Sequence, residues 1–314
     1  MMKKIILLLS LVWAALFPGK LWAQDCEVPM GVALPAQAEA LPSSARSYLM
    51  DKLRQMATAN GISADLSGTQ FFLSAKINVV EKNILPGPPV QHSYTLSVSL
   101  YVVDDYNQKI FTSATLEVKA IGNNETKAYI NGIRKINVNS AVVQSFIAEG
   151  KQKVLRYYDD NYRALLAKAK SESAMKQYDK ALAMALSIPP CSKGYEQALK
   201  EAGNFYQSYV NQQCQENLAK AYAAWNAQQN KNGALEAGEY LSRIYPDAVC
   251  YKEAMALYKD MKAKVKEDVK FEMKQYNDGV AIEKQRIEMM KAIGVAYGRG
   301  PKESKDSTKI YWIK

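Results

Sequence analysis

The chain is 314 residues long, 48% apolar and 23% charged, with 41 Lys plus Arg against 31 Asp plus Glu, a single His and a formal net charge of +10. That balance is ordinary for a folded globular protein of one large domain or two smaller ones. No apolar run after Phe17 is long enough to cross a bilayer, which excludes a chain that spans a membrane repeatedly by helices.

The first 23 residues read as a secretory signal. Lys3 and Lys4 precede the apolar run Ile5 to Phe17, Pro18 and Gly19 break it, and Leu21-Trp22-Ala23 ends in a small residue before Gln24-Asp25. The run is short of the roughly 20 residues a spanning helix needs, so an uncleaved anchor is the weaker alternative. Lipidation at Cys26 is a second alternative, and Ala23-Gln24-Asp25 lacks the small and aliphatic pattern of a lipoprotein box. Export places the protein at the periplasm or outer membrane, away from cytosolic nucleotides and in reach of thiol oxidation.

Charge is uneven along the remainder. Residues 24–150 carry a net charge of −1 and residues 151–314 a net of +8. A basic half suits an anionic partner. In an exported protein that means an envelope surface, and nucleic acid is not expected. Lys and Glu mixed along helices also form an ordinary solvated face.

Residues 24–139 predict an α/β domain. After an Ala- and Pro-rich arm, Ser43-Ser44 is placed to cap a helix running to about Asn60, with Ala45, Leu49, Leu53 and Met56 on one face and Gly61 ending it. The period then becomes two. Phe71–Val79, Tyr94–Val102 and Ile110–Val118 alternate apolar and polar residues, as antiparallel strands covered on one face do. Asp104–Gln108 makes the second hairpin turn. Asn83–Gln91, with Pro86-Gly87-Pro88-Pro89, reads as a stiff loop projecting from the sheet edge. Asn124 then caps a helix with Ala128, Ile130 and Ile133 inward.

The helix leading into Phe71–Val79, and the hairpin Val102-Val103-Asp104-Asp105 with Ile110-Phe111-Thr112-Ser113, resemble the α/β domain of the TolB N-terminal type. Penicillin-binding-protein activators and the curli secretion lipoprotein share that kind of domain. The resemblance implies an outer-membrane assembly or activation factor, not an enzyme.

Residues 140–295 predict helices with an internal repeat at an offset of 56. Ala181 matches Ala237, Ile188 matches Ile244, Pro190 matches Pro246, Tyr195 matches Tyr251 and Ala198 matches Ala254. Gln177–Pro189 and Asn232–Pro246 resemble the second helix of a tetratricopeptide repeat with its closing proline. The resemblance implies stacked helical pairs offering a groove to a partner protein. The 56-residue spacing departs from the usual 34 and implies long helices, one near Tyr195–Gln229. Fifteen of the 20 tyrosines follow residue 150, at spacings that suit interhelix packing. A last helix is expected over Ala263–Ala292, with Val269, Met273, Tyr276, Val280, Ile287 and Met290 as its stripe. Residues 296–314 read as a flexible tail. The overall expectation is an α+β fold: a small antiparallel sheet with packed helices, followed by an all-α domain.

Four cysteines, Cys26, Cys191, Cys214 and Cys250, remain after the leader, an even number in an oxidising compartment. If one helix ends near Gln229 and the next runs back from Gly233, Cys214 and Cys250 come side by side. Cys191 and Cys214 on one continuous helix would lie about 34 Å apart, beyond disulfide reach. The expected pair is therefore Cys214–Cys250, leaving Cys26 and Cys191 to each other by elimination. The spacings match no zinc motif.

No catalytic, cofactor-binding or metal-ligating set is legible. His92 is the sole histidine and reads as exposed, and no nucleophile elbow, phosphate loop, dinucleotide fingerprint or HExxH occurs. The expected function is an exported, non-catalytic envelope protein that binds a protein partner through its helical repeats, as an assembly or accessory factor. The alternative is an adhesive or matrix protein whose basic half binds anionic polysaccharide or lipid. A paired-carboxylate hydrolase is a third reading, since two acids need no local motif.

Overall fold

The computed structural model describes residues 28–36, 41–63, 69–265, 271–299, 309–310 and 312–313. The signal-like segment and Cys26 lie outside them. In chain order the elements are β1 (Val28–Pro29), β2 (Gly31–Val32), β3 (Leu34–Pro35), α1 (Ser43–Ala59), β4 (Ile62–Ser63), β5 (Phe71–Leu85), β6 (Gln91–Asp104), β7 (Lys109–Gly122), α2 (Glu125–Lys135), α3 (Ala141–Ala174), α4 (Tyr178–Leu186), α5 (Tyr195–Ala227), α6 (Lys231–Leu241), α7 (Tyr251–Lys264), α8 (Ile282–Arg299) and β8 (Lys309–Ile310). The fold is α+β. No helix among the described residues is long and apolar enough to cross a membrane.

The sheet runs β2-β5-β6-β7. β5, β6 and β7 form an antiparallel meander with Leu73 opposite Val102, Leu100 opposite Ala114 and Leu96 opposite Val118. β2 joins β5 in parallel at Phe72 and Leu73. Period-two patterning drives the layering: Tyr94, Leu96, Val98, Leu100 and Val102 of β6 are all buried on one face, with the inward residues of α1 and α2 in the same core. The arm expected to be merely extended is three short strands. Each pairs with a different partner: β1 with β4, β2 with β5 and β3 with β8.

Several local expectations are corrected. The N-cap position of α1 is Pro42 and neither serine makes a capping hydrogen bond. At the other end Gly61, at φ +64°, turns the chain as expected. The first hairpin loop is shorter than residues 83–91, because β5 continues to Leu85 and β6 starts at Gln91. Both strands of that arm extend past the core, and residues 78–91 are all exposed. His92 at its base is half-buried, and its Nδ1 is enclosed without a hydrogen-bond partner.

α3 joins the two halves. Ser140 caps it, its side chain accepting from the Val143 backbone N–H at 3.4 Å. Its first turns lie on β7, and further along it packs against α4 and α5. One hydrophobic cluster therefore runs unbroken from Leu49 and Leu100 through Val154 to Ala237 and Met261. The positions paired at the 56-residue offset fall as follows. Ala181 and Ala237 are buried in α4 and α6, Tyr195 and Tyr251 open α5 and α7, and Ala198 and Ala254 are buried one turn later.

Cys214 of α5 is disulfide-bonded to Cys250, with Cα atoms 6.0 Å apart. The route differs from a plain helical hairpin: α6 ends at Leu241, and a turn brings Cys250 to the N-cap of α7. Cys191 is also disulfide-bonded, and Cys26, the partner expected for it, lies outside the described residues.

The single helix expected over residues 263–292 is two elements, and residues 271–281 between them are irregular. α7 stops at Lys264 and α8 starts at Ile282; Val269 lies outside the described residues. Local hydrogen bonding explains the break. Asn277 Oδ1 accepts from the Gly279 N–H at 2.9 Å. The Gln285 side chain accepts from the Asn277 N–H and donates to the Asn277 and Val280 carbonyls at 2.7–2.8 Å. These bonds offer the backbone an alternative to helix.

Part of the segment expected as a flexible tail is also ordered. α8 extends to Arg299, and β8 pairs in parallel with β3. Ile310 and Ile313 are buried with Ala33, Phe72 and Val103 in a second, smaller core on the opposite face of the sheet. Burial of these two isoleucines favours the docked strand.

Candidate functional site: a cleft along helix α3

The turn between β6 and β7 faces the middle of α3. Asp104 closes β6 and is 1% exposed. Its Oδ1 accepts from the Asn107 N–H at 3.0 Å and its Oδ2 from Asn107 Nδ2 at 2.7 Å, while Gln70 Nε2 donates to both oxygens at 2.8 Å. Gln70 Nε2 also reaches Tyr157 Oη of α3 at 3.3 Å, tying the turn to the helix. A turn acid satisfied this way is a structural acceptor.

Two adjoining cavities open between these elements. One of about 650 Å³ lies between Lys109, Ile110 and Phe111 of β7 and Lys153, Arg156 and Tyr157 of α3. A second of about 250 Å³ lies further along α3, between Tyr106 of the turn, Leu165 and Lys168 of α3, Met184 of α4 and Tyr297 of α8. Asn107 and Tyr157 line both, so the two form one cleft.

Interlocked rings back the cleft. Phe71 meets Tyr157 and Tyr158 edge-on with centroids 5.2 and 5.6 Å apart, and Phe111 at a tilt with centroids 5.4 Å apart. Burial pushes the Tyr158 hydroxyl well above its ordinary value, so it stays protonated. Edge-on packing of this kind holds rings rigid. The rim is softer. Tyr106 is 75% exposed, with Lys168 Nζ 5.4 Å from the centre of its ring. Ile110 is 44% exposed.

Cations dominate the wall. Lys153 is engaged, bonded to Glu149 at 2.6 Å and to the Phe111 carbonyl at 2.7 Å. Lys109 touches only the Phe111 ring, 5.9 Å from its centre. Arg156 is exposed and makes no hydrogen bond or ion pair with any described residue. Two acids, Asp104 and Asp160, also line the cleft. Both oxygens of Asp104 accept hydrogen bonds from Gln70 and Asn107, which fixes its place at the end of β6. Among the described residues no group of three His, Cys, Asp or Glu side chains is placed to hold a metal ion.

The bridged Cys214 and Cys250 do not line this cleft. Sequence patterning missed its walls, because they come from residues 70, 104–111, 153–168, 183–187 and 297. Tyrosines at helical spacing read as packing residues, and for Tyr158 that reading suffices. Nothing local marks Arg156 as different from any other helical surface cation.

No family model matches the chain, and no curated protein matches it. Among solved structures, the chain is similar to a minor lipoprotein from Acinetobacter baumannii, at 19% identity over 40% of this chain and 91% of that one, with a TM-score of 0.23. It is also similar to a protein described as a lipoprotein from Caulobacter crescentus CB15, at 13% identity over 36% of this chain and 79% of that one, with a TM-score of 0.21. Likenesses this loose carry no argument about activity. The TolB-type and tetratricopeptide-type resemblances rest on the residues that carry them.

Proposed function

We propose that this chain is an exported, non-catalytic binding protein of a bacterial envelope, an assembly or accessory factor that holds a protein partner in the cleft along α3. The observation that carries the reading is the cleft itself: two adjoining cavities with an aromatic back, an exposed rim and more cations than acids along the wall. Clefts of several hundred Å³ with a few convergent polar groups are the default binding sites of globular proteins. The signal-like order of residues 1–23 and the Cys214–Cys250 bridge fit an oxidising compartment.

Site-specific photo-crosslinking in intact cells tests this. A crosslinking residue at Tyr106 or Ile110 should give one adduct of discrete mass in the envelope fraction, and one at the exposed Val249, in the turn before α7, should not. Adducts from position 249 alone, or from none of the three, reject the cleft as the binding surface.

A further inference from the structure

We infer that the occupant of the cleft is an extended peptide segment of a partner protein, carrying acidic side chains interspersed with apolar ones. This rests on the cleft being the binding surface and adds the chemistry of what it binds.

The argument is one of charge and shape. Of the side chains facing the larger cavity, Arg156 lacks any ion-pair partner among the described residues and Lys109 has only a ring contact. Lys168 at the second cavity rests on Tyr106 and likewise has no carboxylate. Two carboxylates share the lining of the larger cavity: Asp160, and Asp104, which is buried and held by the uncharged amides of Gln70 and Asn107. Three cations without an ion pair, set against two carboxylates, leave the cleft net positive and favour an anionic occupant.

Between the cations the wall is apolar. Ile110 and Phe111 flank the first cavity, and Leu165 and Met184 the second. Aliphatic and thioether surface suits apolar side chains, and methionine adapts to several shapes. A sugar ligand would need open ring faces. Phe71, Tyr157 and Tyr158 spend theirs on one another, and Lys168 lies over the ring of Tyr106. Length fits an extended chain. Lys153 to Lys168 spans about 22 Å along α3, the reach of about seven residues in strand conformation.

The test uses the oxidised chain from residue 24 onward and two fluorescent heptapeptides, Glu-Leu-Glu-Phe-Glu-Leu-Glu and Lys-Leu-Lys-Phe-Lys-Leu-Lys, read by anisotropy at fixed salt. The acidic peptide should bind at least about tenfold more tightly than the basic one. The double variant Lys109→Glu, Arg156→Glu should lose that preference, and Arg156→Lys should keep it. Both sites are on the surface, and an unchanged melting temperature confirms that the variants fold. Equal binding of the two peptides, or acidic-peptide binding that survives the charge reversal, overturns the inference. So does binding of oligogalacturonate with no acidic-peptide binding, which would mark a site for anionic glycan. Crosslinks at Tyr106 without acidic-peptide binding would leave the cleft as the binding surface and reject only the peptide chemistry.

Discussion

Asp247 and Arg286 are 39 residues apart in sequence and form a two-pronged ion pair. Arg286 Nη2 donates to Oδ1 at 3.0 Å and its Nε to Oδ2 at 3.2 Å. Tyr206 of α5 donates to the same Oδ2 at 3.1 Å, and so does Tyr276 from the irregular segment before α8. One carboxylate thus gathers α5, the turn before α7, the segment after α7 and α8. It holds in place the stretch that a continuous helix over residues 263–292 would have filled.

Replacing Asp247 with Asn should destabilise the protein by about 2 kcal/mol, since the charge-assisted bonds to Arg286 are lost and only its exposed pair with Glu283 remains. Urea denaturation at neutral pH measures it. A loss below a few tenths of a kcal/mol would show that this junction holds nothing together.

The same residue sets an acid limb. Burial alone would raise the Asp247 pKa; the Arg286 guanidinium and the two tyrosine hydroxyls overcome that and hold it below the ordinary carboxylate value. In the unfolded chain it titrates near about 3.9. The unfolded state therefore binds more protons in the window just below that pH. The stabilisation is complete above about pH 4 and fades as pH falls through the native value. Stability against pH should rise less steeply across that window in Asp247→Asn than in the wild type. Parallel curves would contradict the assignment.

The disulfide closes a loop of 36 residues. The chain-entropy estimate puts its removal at about 3 to 4 kcal/mol. Cys214→Ser with Cys250→Ser should melt markedly lower than the wild type and lose its sensitivity to reductant at this bridge. Identical melting of the oxidised wild type and the double variant would mean that the bridge adds nothing.

Gly150 is where α3 crosses the sheet. A Cβ there would lie 2.6 Å from Val102 Cγ2 and 3.4 Å from Thr112 Cγ2. Alanine normally improves a helix interior by about 1 kcal/mol over glycine. Here the β-branched Val102 has little room to give, so Gly150→Ala should be destabilising by about 1 kcal/mol and Gly150→Leu by more. A stabilised alanine variant would show that α3 can lift from the sheet at little cost.

Ile310 is fully buried against Ala33, Phe72 and Val103, and Trp312 Nε1 donates to Asp105 Oδ1 at 2.9 Å. Ile310→Ala should cost about 3 kcal/mol. It should also speed hydrogen exchange at the Ala33 N–H, which bonds the Leu73 carbonyl at 3.1 Å beside the pairing of β3 with β8. Unchanged exchange there would detach the C-terminal strand from the fold's stability.

Much of the local structure was readable because it is written in short-range periodicity. The alternation of Tyr94 to Val102 faces one side of a strand to the core whatever packs on it, and Asn124 can cap α2 with its own side chain. Ala181, Ala237, Ala198 and Ala254 are buried in their helices, as the helical spacing of small residues implies. The same periodicity misled over residues 263–292. Stripe residues on both sides of Gly279 kept helical spacing while Asn277, Gln285 and Asp247 drew the backbone elsewhere through bonds between distant residues.

What the sequence alone determined was the α+β class, the strand faces, the long helix after Tyr195 and the apolar positions of each element, because those depend on neighbours one to four residues apart. Only the tertiary structure decided the cleft, the anchoring of Ile310 and the Asp247–Arg286 junction. Each of these is made by groups dozens to hundreds of residues apart, and their approach depends on how whole elements pack.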